Sequence, residues 1–177
     1  MEAFLRYWLR WPSVEYLFQH NAWAWPLCET LHFVGLALLV GIVGIWDLRL
    51  MGFAKGLPVA PLRRLLPWAV LGFLIDVVTG LLFVTGIYAN VEIHPFIVAM
   101  SDGYLQLKLL FIALAGVNLV IFYLSGASEA ADNLRAGEDA PALVKVIAAA
   151  SLFLWFGVVY FGRLIPWGSF NGWVLNK

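Results

Sequence analysis

Long apolar runs alternate with short polar segments along this chain. Four of the runs reach the length of about 20 residues that an α-helix needs to cross roughly 30 Å of hydrocarbon. Each run has Trp or Tyr near an end, where an amphipathic ring suits the membrane surface. The pattern predicts membrane-spanning helices over residues 25–48, 65–88, 104–124 and 143–167.

The polar segments differ from one another in composition. The stretch MEAFLRYWLRWPSVEYLFQHN mixes arginine and glutamate with phenylalanine and tryptophan, which predicts an interfacial amphipathic helix over 1–21, broken near Pro12. We do not expect it to be a cleavable signal peptide, because no uninterrupted apolar core follows its charges. The stretch SGASEAADNLRAGEDAP is predicted to be a water-exposed loop. The expected fold is all-α: a single transmembrane domain, 1–177, built as a four-helix bundle.

Composition supports a membrane location. With 63% apolar and 12% charged residues, the chain has too few polar side chains to cover a soluble globule, so its first partner is the lipid bilayer. A formal net charge of zero gives no electrostatic basis for binding nucleic acid. The single cysteine, Cys28, has no partner in the chain for a disulfide or a redox pair.

Basic residues near the ends of the spans predict the orientation. More of them fall on one side of the membrane than on the other, and the richer side is expected to be cytoplasmic. We therefore expect a multi-pass membrane protein with both termini outside, which in a bacterial inner membrane means in the periplasm. The richer side carries Arg49, Lys55, Arg63, Arg64, Arg135 and Lys145, and the other side carries Arg6, Arg10, Arg163 and Lys177.

Ionisable residues inside the spans are the candidate site. A charged group in hydrocarbon costs several kcal/mol unless it is paired or functional. His32 lies about 10 Å into the first span at 1.5 Å per residue, and Lys108 and Arg163 lie in the same outer half. Asp76 lies near the middle of the second span. Helical phase puts Glu29 on the face of His32, and this face is expected to look inward.

Each of these residues also has a purely structural interpretation. His32 can be a hydrogen-bonded core histidine or an iron ligand. Lys108 can extend its ammonium group to the membrane surface, and Arg163 can act as an anchor there. A protonated Asp76 can form a hydrogen bond between helices. At the opposite end of the first span, Asp47 and Arg49 are interpreted as an interfacial ion pair.

The residue types favour haem over other chemistry. A zinc or copper site held by protein alone needs three or four ligands, and no CxxC or HxxxH spacing supplies them. No serine pairs with a histidine in a recognisable catalytic arrangement. Haem needs one imidazole, apolar or aromatic walls such as Phe111, Trp155 and Phe156, and cations for its propionates. His32, with Lys108 and Arg163, meets that requirement.

Four segments carry a resemblance to known proteins. The runs LHFVGLALLVGIVGIWDLRLMG, LLPWAVLGFLIDVVTGLLF, LKLLFIALAGVNLVIFY and WFGVVYFGRLIPW resemble a bacterial family of small four-helix membrane proteins of unknown function. At His32 and Lys108 the chain is also remotely similar to the haem-dependent protoporphyrinogen oxidase and to the membrane domain of copper-resistance D proteins. The resemblance implies that His32 is an axial ligand of haem b and that Lys108 is an essential residue facing it.

The functional hypothesis is an outer-leaflet pocket for haem b or a quinone, serving electron transfer within a redox complex. In this hypothesis His32 ligates iron, Lys108 and Arg163 hold carboxylates or a quinone carbonyl, and Asp76 stabilises or passes a proton. The spans hold no second histidine, so a sixth ligand would come from elsewhere, such as His94 in a loop, or be absent. The alternative is a cofactor-free accessory subunit of a larger membrane complex. Whether the protein is an enzyme stays open.

Overall fold

The computed structural model describes residues 10–86 and 94–166. In these ranges the chain is all-α, as the sequence predicts. The helices, numbered along the described chain, are α1 Pro12–His20, α2 Ala24–Met51, α3 Val59–Arg63, α4 Leu66–Gly86, α5 Pro95–Ser101, α6 Gly103–Leu124, α7 Ala127–Asp132 and α8 Ala142–Leu164.

Helices α2, α4, α6 and α8 are the four spans, and each is long and apolar enough to cross a membrane. They confirm the prediction of a multi-pass four-helix bundle. The first span continues beyond its predicted end to Met51, where Gly52 ends it in the left-handed conformation with φ of 98°. The predicted ends of the second and fourth spans, Tyr88 and Trp167, lie outside the described residues.

The close helix pairs are α2 with α4, α6 with α8, and α2 with α8. Two glycines bring α2 and α4 together. A Cβ at Gly35 would lie 2.8 Å from the Gly72 carbonyl oxygen, and a Cβ at Gly72 would lie 2.6 Å from the Gly35 carbonyl oxygen. The two glycines thus permit close contact between the helices. Gly80, farther along α4, has open space around it.

Helix α1 begins at Pro12, where the sequence predicts a break, and residues 1–9 of the predicted interfacial helix lie outside the described residues. The helix rests against one end of α4, where the Phe18 ring covers Gly86. Glu15 is buried and accepts hydrogen bonds from the Arg10 guanidinium at 3.0 and 3.3 Å. The exposed ring of Tyr16 leaves an aromatic face for the membrane surface.

Arg49 organises the opposite end of the bundle, and the predicted interfacial pair with Asp47 is wrong. The Arg49 side chain is completely buried, and its guanidinium donates to the carbonyl oxygens of Leu57, Arg135 and Glu138 at 2.7, 2.9 and 3.3 Å. It therefore ties the connection after α2 to the loop before α8. Backbone carbonyls replace the expected carboxylate, since the helix ends and loops offer unpaired acceptors there.

The loop between α6 and α8 is less exposed than predicted. Its first part forms α7, whose Ala127 and Ala131 are buried against the bundle. An ion pair between Arg63 of α3 and Asp132 fastens α7 from outside. The small alanine side chains allow this close approach, which explains why a stretch rich in Ala, Asp and Glu is partly buried.

Candidate functional site

His32, Thr79 and Asp76 meet between α2 and α4. The Nδ1 atom of His32 lies 2.6 Å from the Thr79 hydroxyl oxygen and 3.5 Å from Oδ1 of Asp76. Their histidine and aspartate side chains keep only 16% and 12% of their surface exposed. Thr79 and Asp76 are three residues apart, so one turn of α4 presents both groups to the same imidazole.

The Thr79 hydroxyl lies within hydrogen-bond distance of both Nδ1 of His32 and a carbonyl oxygen of its own helix. This hydroxyl donates its single hydrogen to the Ile75 carbonyl oxygen at 2.7 Å. With its hydrogen used there, the hydroxyl accepts from His32 in the tautomer that carries the proton on Nδ1, which is the tautomer we adopt. In the neutral imidazole the lone pair is then on Nε2, and this atom is able to bind a metal or accept a proton.

Asp76 has unused hydrogen-bonding capacity. Its Oδ1 is buried and has no hydrogen-bond partner among the described residues, although it lies at ion-pair distance from His32. The missing side chain of Gly35 makes room for this oxygen, since a Cβ there would lie only 2.6 Å from it. Buried polar atoms usually have partners, so an unpaired carboxylate oxygen beside a histidine indicates a functional site.

Lys108 of α6 lies at the same end of the bundle as His32 and Asp76. Its side chain is partly buried and lies over Gly162 of α8, where an added Cβ would be 3.3 Å from Nζ. The ammonium group interacts electrostatically with Asp76 and His32. The structure thus brings together His32, Asp76 and Lys108, and with Thr79 we call these four residues the His32 cluster.

Other predicted residues are placed differently. Arg163 lies in the last turn of α8, immediately after Gly162, and is exposed. Glu29 is exposed and accepts a hydrogen bond from the Trp25 indole at 3.2 Å, so the prediction that it faces inward is wrong. It lies one residue beyond the buried Cys28 and so at the edge of the inner face. Phe156, expected to enclose a ring, is 71% exposed.

An aromatic ring lies beside His32, and two further histidines have contacts of their own. The Phe83 ring meets the His32 ring edge to face, with centroids 5.4 Å apart. His94 caps α5, because its Nδ1 accepts from the Phe96 amide at 3.1 Å. His20 stacks on Tyr16 and pairs with that residue's carbonyl oxygen. Within residues 10–86 and 94–166, no group of three His, Cys, Asp or Glu side chains forms a metal site.

Comparison with known proteins adds no relative: no family model, curated protein or solved structure matches this chain. The resemblance drawn from the four apolar segments therefore stays a prediction. The hydrogen bond between His32 and Thr79 is not among the sequence predictions. Helical phase places Thr79 on the same face of its helix as Asp76, which is the signal that could have found it.

Proposed function

We propose that the His32 cluster holds one haem b and that the protein serves electron transfer as a membrane subunit of a redox complex. The observation that carries the proposal is the hydrogen bond from His32 Nδ1 to Thr79, with Asp76 behind it. Histidines that ligate metals characteristically donate their other ring N–H to a carboxylate or another oxygen. The arrangement leaves the Nε2 lone pair for iron.

The side chains around His32 fit haem b in two further respects. Lys108 supplies a cation inside the bundle, suited to a propionate, and Arg163 supplies another at the same end. Phe83 and Trp25 add aromatic surface, their ring centroids being 5.2 Å apart. Haem b would supply one-electron redox chemistry at this depth in the membrane.

In this proposal Asp76 stabilises or passes a proton at the haem site. As a carboxylate it stabilises a positive charge on the His32 ring or on Lys108, and its free Oδ1 can accept a proton when the charge of the site changes. His94 is not proposed as a sixth ligand, because its Nδ1 already accepts from the backbone at the start of α5. No described residue is therefore assigned as a second ligand.

The proposed orientation puts the His32 cluster in the outer leaflet of a bacterial inner membrane, with both termini in the periplasm. Its support is the larger number of Lys and Arg residues at the Arg49 end of the bundle. Alkaline phosphatase fused after Lys177 should be active and green fluorescent protein fused there should be dark. The reverse pair of results would overturn the orientation.

The difference spectrum between dithionite-reduced and oxidised protein tests the haem. We expect sharp haem-b bands from the purified wild type and their loss in His32→Ala. His20→Ala is the matched control, since this exposed histidine contacts only its own helix among the described partners and should leave the bands unchanged. A flat wild-type spectrum from haem-replete cells would contradict the proposal and favour the cofactor-free accessory subunit.

A further inference from the structure

A second space of ligand size lies in the other half of the bundle. It is a cavity of about 290 Å³, close to the lower end of the roughly 300–1,000 Å³ typical of small-molecule sites. All four spans line it, and most of its wall is aliphatic or aromatic. Asp47 of α2, Asn118 of α6 and Ser151 of α8 contribute polar groups to it.

Asp47 gives this cavity a chemical preference. The residue is only 3% exposed, and the Ser151 hydroxyl donates to its carboxyl group. Its second oxygen, Oδ2, has no hydrogen-bond partner in the described part of the chain. Burial of an acceptor without a donor is unfavourable. An occupant that brings a hydroxyl group would remove this cost after a small rotation of the carboxyl, whose χ2 is soft.

The remaining polar groups do not compete for the same occupant. The Asn118 side-chain amide donates to the Ile147 carbonyl oxygen at 3.1 Å and so fastens α6 to α8. A metal ion would need several oxygen ligands, and this largely apolar wall does not offer them. A lipid acyl chain fits the wall but has no hydrogen to donate to Asp47.

The cavity opens toward lipid between α4 and α6. These helices are not among the close pairs of the bundle, and the cavity residues on this side are exposed: Val70 by 58%, Leu119 by 55% and Tyr123 by 57%. At the side toward the His32 cluster, Phe73 and Trp155 meet edge to face with centroids 6.2 Å apart. An occupant can therefore enter from the bilayer and leave an apolar tail between α4 and α6.

We propose that this cavity binds the head of a membrane-soluble quinol, with a ring hydroxyl donating to the Asp47 carboxylate and the prenyl tail leaving between α4 and α6. One substituted six-membered ring fits the volume, whereas a tetrapyrrole does not. The site is separate from the His32 cluster, and its occupancy does not depend on what His32 holds.

A pair of probes tests the donor requirement: a benzoquinol with a ten-carbon tail, kept reduced under anaerobic conditions, and its dimethyl ether. Binding is measured on the full chain in lipid nanodiscs by tryptophan fluorescence, since Trp46 and Trp155 line the cavity. We expect the quinol to bind about tenfold or more tightly than the ether, as loss of a hydrogen bond to a charged group predicts. Equal binding of the two probes, or binding of neither, would overturn the proposal.

Two variants locate the site. Asp47→Asn should remove the preference for the quinol. Gly116→Leu should block the cavity without disturbing the fold, because a Cβ at this lining position meets nothing within 4 Å. Gly80→Leu, equally unhindered but outside the cavity lining, is the control and should bind as the wild type does. Unchanged quinol binding in Gly116→Leu would place the quinol elsewhere, and haem spectra of the same samples test the His32 proposal separately.

Discussion

Two buried polar sites of the bundle, Arg49 and the His32 cluster, use their hydrogen-bonding capacity in opposite ways. At one end, the guanidinium of Arg49 is completely enclosed, and three backbone carbonyl oxygens accept its hydrogens. At the other end, the His32 cluster keeps a free Nε2 lone pair and an unpartnered Asp76 oxygen. The Arg49 guanidinium and the His32 cluster are both costly to place in a membrane protein, but of these two only the His32 cluster retains bonding capacity.

This difference separates a structural charge from a functional one. A buried group whose donors or acceptors are all used by backbone has no means of binding anything else, so its contribution is to hold loops in place. A buried group with unused capacity destabilises the fold unless a ligand or proton completes it. The number of unsatisfied atoms therefore indicates function better than burial alone does.

The largest expected effect is that of Arg49→Met. The substitution removes the guanidinium donor from three carbonyl oxygens, of which that of Arg135 keeps the Glu138 amide as a donor. At about 1–3 kcal/mol for an acceptor left without a donor, we expect loss of folded protein. Thermal melting monitored by size-exclusion chromatography measures this. Arg64→Met, at an exposed arginine in the same half of the bundle, is the control. Equal stability of the two variants would contradict the structural role of Arg49.

Substitution of Gly35 should have the next largest effect and should reach the His32 cluster. A Cβ there collides with Asp76 and with the α4 backbone, so Gly35→Ala should lose about 1–3 kcal/mol of stability through overpacking. Gly41→Ala on the same helix meets open space and should be neutral or slightly stabilising. Melting temperatures of the two variants check this, and similar values would refute the close α2–α4 contact.

Thr79→Val sharpens the assignment of the His32 proton. Loss of the hydroxyl leaves Nδ1–H without its acceptor, and such changes around a metal ligand commonly weaken binding by about 10–100-fold. Haem content per chain after detergent exchange is the readout. Thr85→Val is the matched control, because Thr85 is also buried on α4 and its hydroxyl donates to Leu81 within the helix. Equal retention in both variants would show that the Thr79 contact is structural.

The smallest effect is expected at the exposed ion pairs of the Arg49 end. Hydrogen bonds from Lys145 and Lys55 lower the pKa of Asp139 below its ordinary value. A folded-state pKa below the unfolded one stabilises the fold above the unfolded pKa, and the effect disappears as pH falls through the folded pKa. Asp139→Asn should melt slightly earlier than wild type at neutral pH and equally in strong acid. A gap that persists in acid would mean that Asp139 acts through something other than its charge.

The sequence predicts the spans well because their apolar length is a local property. Helical phase also places His32 on a face expected to look inward, and the structure brings its side chain together with that of Asp76. The role of Arg49 could not be predicted, since two of its three acceptors come from a loop more than eighty residues away along the chain. The cavity at Asp47 depends on the order of helices around the bundle, which one sequence does not reveal.

Chemical rescue tests the central claim, that His32 is a ligand rather than a packing residue. In His32→Gly the imidazole is removed and space is left for a free imidazole in its place. We predict that this variant purifies without haem-b bands and that added imidazole with haem restores them, while His20→Gly needs no rescue. Full haem content in His32→Gly without imidazole would contradict the account.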